Sequence, residues 1–448
     1  MKLFQNLLLA PAALGLIAPI AATASEVNIN EVSNYSDRGF EINTDSFKPL
    51  STKNPLLISG GEGLNDSSST NDFSADSFSG TTTLDGKAVM VTAMIDGANQ
   101  ISTGASEKAT FAYVYQMNLN TSFTGDDNLY VRLKSGDGWG ENLDLKPATY
   151  HIEAKDNTDQ LKVDKVWYTF PLGERVTATV GPLIENYYML AATPSVYKPG
   201  ALKAFKLGGH GAAFGASTSV GAGLKYEREN GFATSITVNS KGAENANGFL
   251  TAEDSNKVNT MLAYTKDNYH VSATYTTQSG SWDAWEYFAT SDMTIQSDST
   301  KANYIGGVDA DGWALRAWWR PDETGTAIPS VSVGIDTITF NAKGSKNDGK
   351  NHLKAKDGSG YTAALNWQDI LQADDRIGIA IGAPMSVTGF RQGSTDKEDV
   401  NPFIWEAYYS FRPTDSIEVT PALFGGTDAF ADEEDDVFGA TISTTYKF

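Results

Sequence analysis

The chain contains no cysteine and four histidines, and its 34 lysines and arginines are outnumbered by 55 aspartates and glutamates, a net charge of −21 over 448 residues. The missing thiols exclude a disulfide framework, cysteine-based zinc sites and thiol catalysis. The deficit of positive charge excludes a nucleic-acid partner, because no basic stripe is left to neutralise phosphates. His151, His210, His270 and His352 show no metal-ligand spacing, and neither a nucleophile elbow nor a Walker loop occurs. The residues therefore indicate no enzyme, no cofactor and no metal. Also missing after residue 24 is any apolar run of about 18 residues that could cross a bilayer as a helix.

What is present begins with an export signal. "MKLFQNLLLAPAALGLIAPIAATA" places Lys2 before an apolar run from Leu7 to Ala22 and ends on Ala22-Thr23-Ala24, the order of a signal peptide over 1–24. Pro11 and Pro19 make it a poor spanning helix. Residues 25–77, including "GGEGLNDSSSTNDFSADS", offer little to bury and read as a flexible polar periplasmic leader. Export without a later helical span leaves a secreted protein, a periplasmic one or an outer-membrane barrel.

From Phe78 the texture changes to short alternating segments. Phe111, Tyr113, Tyr115, Met117 and Leu119 occupy every second position, as do Phe403, Trp405, Ala407, Tyr409 and Phe411. Val258–Tyr264, Tyr269–Tyr275, Val331–Ile335, Ile377–Ile381 and Phe438–Phe448 alternate in the same way. Period two with one apolar face marks strands, and these are about as long as strands tilted across a bilayer. A soluble sandwich would alternate too.

The connections separate the two. Tight ones at 123–128, 171–174, 228–231, 266–268, 320–327, 370–375 and 413–416 alternate with long polar stretches such as 136–160, 187–212, 279–304 and 341–358. Seven short turns and eight long loops make sixteen strands. Phe123, Phe170, Tyr226, Tyr264, Tyr269, Trp319, Trp367, Phe411 and Phe448 cluster at the short turns, as an interfacial girdle requires. The pattern predicts an all-β transmembrane antiparallel β-barrel over 78–448, with short periplasmic turns and long extracellular loops. A β-solenoid adhesin would need a fixed internal repeat, and none is seen.

"FSGTTTLDGKAV", "NLNTSFTGDDNLYVRLKSG" and "WALRAWWRPDETGTAIPSVSVG", together with the signal region and "SEVNINEVSNYSD", resemble cyanobacterial outer-membrane porins of the OprB-like, carbohydrate-selective family. The resemblance covers the signal region and patches of most of 78–448. It implies a sixteen-stranded homotrimeric channel in the outer membrane for passive uptake of small hydrophilic solutes, and Phe448 matches the signal read by the outer-membrane assembly machinery. Members usually carry an S-layer-homology domain before the barrel; residues 26–77 lack its pattern, so wall anchoring is not carried over. A carbohydrate preference follows from the family name. From another class, a non-conducting structural or adhesive surface β-protein remains the alternative.

Several groups could set selectivity. The connection after the fifth strand carries Lys198, Lys203, Lys206 and His210, with no acidic residue from Tyr187 to Leu224. If this third loop folds inward, those residues form a pore constriction that favours anions. Arg132, Arg316, Arg320 and Arg412 fall on the polar phase of their strands, where a wet lumen solvates them and lets them line the path. Trp282, Trp285, Tyr287 and Phe288 could stack on sugar rings, though such clusters more often fold a loop onto itself. The acidic run 431–436 could meet lipopolysaccharide through divalent cations, with a solvated loop as the plainer reading. "DADG" at 309–312 reads as turn chemistry.

Overall fold

The computed structural model describes residues 81–96, 109–137, 157, 159–209, 218–242, 248–251, 254–279, 309–341, 355–390, 401–428 and 436–448. The expected signal peptide and leader, His151, His210, His352, the 282–288 aromatics and residues 431–435 lie outside the described residues.

Sixteen strands form the structure. The first eight are β1 (Thr82–Asp96), β2 (Thr110–Thr121), β3 (Asn128–Asp137), β4 (Lys162–Pro171), β5 (Val176–Ile184), β6 (Ser219–Glu227), β7 (Phe232–Ser240) and β8 (Asn256–Thr265). The remainder are β9 (Tyr269–Ser279), β10 (Asp309–Trp319), β11 (Ser330–Asn341), β12 (Ala355–Gln368), β13 (Arg376–Phe390), β14 (Phe403–Thr414), β15 (Ile417–Thr427) and β16 (Val437–Lys447). Each pairs antiparallel with its sequence neighbours, and β16 returns to β1 with Lys447 opposite Lys87 and Phe438 opposite Asp96. Closure leaves no free sheet edge, the condition for a sheet to stand in lipid. All seven tight connections fall where the alternation placed them, so they share one rim.

The period-two pattern sorts side chains by solvent. On β10 and β11, Trp313, Leu315 and Ile335 face outward at 51 %, 49 % and 54 % exposure, whereas Ala314, Arg316, Ser332 and Asp336 face inward at 0–3 %. The apolar face meets lipid, so the usual inside-out order of a soluble core is reversed. Phe448 joins the outer girdle. Its backbone exchanges hydrogen bonds with Gly86 (2.8 and 3.1 Å), and its ring stacks on Tyr115 at 5.9 Å. One sequence expectation is corrected: 309–312 is no turn but the start of β10, where Asp311 accepts from Tyr275 Oη (2.8 Å) and Asn341 Nδ2 (2.7 Å).

Two of the tight turns share one device. Asp127 accepts from the N–H groups of Phe123 and Thr124 (2.9 and 2.8 Å), and Tyr168 Oη on β4 donates to its other oxygen (2.6 Å). Asp375 accepts from the N–H groups of Ile370, Leu371 and Gln372 (2.8, 2.9 and 3.0 Å) and from Tyr409 Oη on β14 (3.2 Å). Each tyrosine then stacks on the phenylalanine two residues later, Phe170 at 5.3 Å and Phe411 at 5.5 Å. Turn, neighbouring strand and girdle are thereby tied together.

Burial alone would raise the pKa of both carboxyls, but these hydrogen bonds outweigh it and hold both below the ordinary aspartate value. A depressed folded pKa contributes stability that is present above about pH 4 and is lost as pH falls through the folded value. Asp127→Asn is expected to cost about 1.5–3 kcal/mol in urea titrations of the folded barrel at pH 7. The difference from the parent protein should shrink as pH is lowered below about 4.

Candidate functional site

The connection between β5 and β6, residues 185–218, is the third long loop, here L3. Its described part, 185–209 and 218, lies against the inner wall. Asn186 Nδ2 donates to Asn259 Oδ1 on β8 (3.2 Å), and the Ala191 N–H donates to Ser235 Oγ on β7 (3.1 Å). Further along, Trp318 Nε1 on β10 donates to the Thr193 carbonyl (3.1 Å), and the Val196 N–H donates to Ser332 Oγ on β11 (3.2 Å). Asn259, Ser235 and Ser332, with the indole of Trp318, thus serve as loop receptors on the inward phase of these strands.

Beyond Tyr197 the loop meets β14. Glu406 is fully buried, and its carboxylate accepts from Tyr197 Oη (2.7 Å) and the N–H groups of Gly200, Ala201 and Leu202 (3.0, 3.0 and 2.7 Å). Leu202 and Phe205 pack with Ile404, Phe424 and Val437 of the wall. A short 3-10 stretch, Lys203–Gly208, then turns the chain back. Leu207 (φ 60°), Gly208 (φ 71°) and Gly209 (φ 123°) take left-handed backbone angles, which the glycines of "LGGHG" accept readily. That geometry aims carbonyls at β10: Arg316 donates to Leu207 O and Gly209 O (2.9 Å each). Its remaining N–H groups go to Asp336 (2.8 and 2.9 Å), Leu315 O (3.0 Å) and Ile335 O (3.1 Å), so the whole guanidinium is engaged.

A second cluster joins the start of L3 to β3 and β4. Tyr130, Trp167, Tyr188 and Tyr187 form a chain of rings with centroids 4.1, 4.8 and 4.5 Å apart. Arg132 donates to Tyr130 Oη (2.8 Å) and Tyr188 Oη (3.1 Å). Lys165 pairs with Glu185 at 2.8 Å. Lys206 Nζ donates to Tyr187 Oη (3.1 Å) and lies 4.2 Å from that ring. Burial drives the Lys206 pKa down; Glu185 opposes this while Lys203, Arg132 and Lys134 add to it, leaving it at about 7. Glu185 is pushed up by burial but held down to about 2, chiefly by Lys165 and Lys206.

Of the expected constriction residues, Lys198 and Lys203 are half-buried and Lys206 is buried. Arg132 and Arg316 do face inward, as their phase requires, but both are buried in the contacts above rather than bathed in lumenal water. Arg320 is exposed at the β10–β11 turn, its Nε donating to Asp267 O (2.6 Å), and Arg412 lies beside Glu418 (3.5 Å). Glu406 and Asp336 escaped the sequence reading, which counted acids along the loop and not on the wall it meets. An inward-phase glutamate in an apolar strand, "FIWEAYY", was the available signal.

A closed sixteen-strand barrel with a long loop drawn into its lumen defines a porin-type channel. Residues 67–424 match the carbohydrate-selective porin, OprB family, and the chain belongs to that family. It is an outer-membrane porin, a channel for passive diffusion of small hydrophilic solutes. An uncharacterised protein of Nostoc sp. strain PCC 7120 is 23 % identical over 408 residues, 85 % of this chain and 67 % of that one. OprB of Pseudomonas putida superimposes with a TM-score of 0.54 at 11 % identity, covering 82 % of this chain and 94 % of that one. A loop-deleted OmpT, an outer membrane protein of Vibrio cholerae, gives 0.51 at 8 % identity over 82 % and 99 %. These two structural likenesses are of fold.

Arg316→Met should strand the Asp336 carboxylate in the wall and cost about 3–5 kcal/mol. Adding Asp336→Leu should recover the share due to the stranded carboxylate and leave the cost of the Leu207 and Gly209 carbonyls that lose their donor. Urea titration of the folded barrel in lipid vesicles, followed by tryptophan fluorescence, checks both.

Proposed function

We propose that this porin passes small anions in preference to cations. The observation that carries the reading is the gathering of Lys203, Arg132 and Lys134 around Lys206, with Lys165 close by, in a chain of net charge −21. Fixed positive charge beside a narrow aqueous path raises the local anion concentration and repels cations. Lys165 itself pairs with Glu185 at 2.8 Å and lies 3.5 Å from Asp164.

Single-channel current in a planar bilayer under a potassium chloride gradient tests it. The expected reversal potential has the anion-selective sign, and Lys203→Glu shifts it toward cations. Since Lys206 sheds its proton near pH 7, the anion preference declines as pH rises through about 7, and Lys206→Met removes that step. A cation-selective parent channel overturns the reading.

The family description favours a second reading, a carbohydrate preference. Tyr130, Trp167 and Tyr188 are aromatic, but each ring is stacked on its neighbour rather than open to a sugar. Block of the ion current by added sugars separates this reading from a purely ionic one. The same porin reading extends to a homotrimer, to contact with lipopolysaccharide and to Phe448 as the assembly signal; an oligomer that survives mild denaturant and dissociates on heating checks the first.

A further inference from the structure

We infer that Glu406 and Arg316 are a matched pair of positioning residues, an anion and a cation rooted in the wall, that hold segment 200–209 of L3 at its two ends and so fix the open cross-section of the channel. The inference rests on the porin function and is independent of ion preference.

Segment 200–209 is irregular, with a kinked 3-10 stretch at Lys203–Gly208, and its flanking N–H groups and carbonyls have no repeating backbone ladder of their own. Sealed between loop and wall, such groups must be satisfied by the protein. At the leading end, the N–H groups of Gly200, Ala201 and Leu202 converge on Glu406, each within 3.0 Å. At the trailing end, the carbonyls of Leu207 and Gly209 accept from Arg316, and that of Gly208 accepts from Thr362 Oγ1 (2.5 Å). The carboxylate thus meets backbone donors and the guanidinium meets backbone acceptors, each the partner that its chemistry suits. A third feature agrees. Gly334 on β11 faces the loop where a side-chain carbon would overlap the Gly208 carbonyl oxygen, so the wall is cut away at the point of contact.

These contacts are to backbone, so they set where L3 lies and not what its side chains are. Removing them frees the loop without altering the barrel's own ladder. The absence of cysteine from the chain permits a clean accessibility probe.

The test pairs single-channel conductance with labelling of Ala204→Cys, a position only 8 % exposed in the folded loop. Glu406→Gln removes the anion, and Gly334→Ala wedges the loop away while leaving both charges in place. Each should raise the unit conductance, add flicker to the wild-type step and speed swelling of vesicles in larger sugars. In both backgrounds Ala204→Cys should react with a water-soluble maleimide that leaves it untouched in the parent barrel. Folding is verified by heat-modifiable migration. Should Glu406→Gln not fold, Gly334→Ala and Tyr197→Phe carry the test with the wall charges intact. Folded variants with parental conductance and a protected Ala204→Cys overturn the inference, whatever the sign of the reversal potential.

Discussion

The contact between the Glu406 carboxylate and the backbone of L3 is the interaction on which the channel's interior depends. A carboxylate buried in a barrel wall is costly unless its lone pairs are filled, and here three N–H groups and a tyrosine hydroxyl fill them. The same bonds satisfy a loop that would otherwise bring bare backbone into the lumen. Loop and wall thus remove each other's penalty, and Arg316 repeats the arrangement with the opposite sign at the other end. Leu202 and Phe205 add apolar packing that has no place in a purely wet channel.

The barrel that carries these anchors follows a simpler rule. Closure satisfies every strand by its neighbours, and the two-residue period sends one face to lipid and the other to the lumen. Because the register is continuous, residues far apart in sequence reach the same loop: Ser235, Asn259, Trp318, Ser332 and Glu406 come from β7, β8, β10, β11 and β14. At the short-turn rim, Asp127 with Tyr168 and Asp375 with Tyr409 fasten turns to adjacent strands, giving the aromatic girdle a polar footing.

The charge reading changes in kind once the fold is known. Along the chain, L3 looks like a stretch of lysines without acids. In space it meets Glu406 and Asp336 from the wall and Glu185 at its own base. Lys206 belongs to a packed aromatic and ionic cluster, and Arg316 is a structural anchor. The basic groups remain gathered on the β3–β4 side, where Arg132 and Lys165 lie close to the loop.

Strand number, closure and the sidedness of the turns were legible in the sequence, because alternation and loop length are local signals that lipid makes obligatory. "YTF" and "YSF" could be seen as girdle segments, but nothing in them announced that Tyr168 and Tyr409 would each reach a turn aspartate on the neighbouring hairpin. "FIWEAYY" placed Glu406 on the inward face without saying what it would hold. Only the tertiary structure decided that L3 crosses to β14 and returns to β10, since that path depends on backbone groups meeting wall charges 205–206 residues away at Glu406 and 109 away at Arg316. Period and turn spacing act between neighbours along the chain; the satisfaction of a buried backbone is settled by whatever the closed barrel brings opposite it.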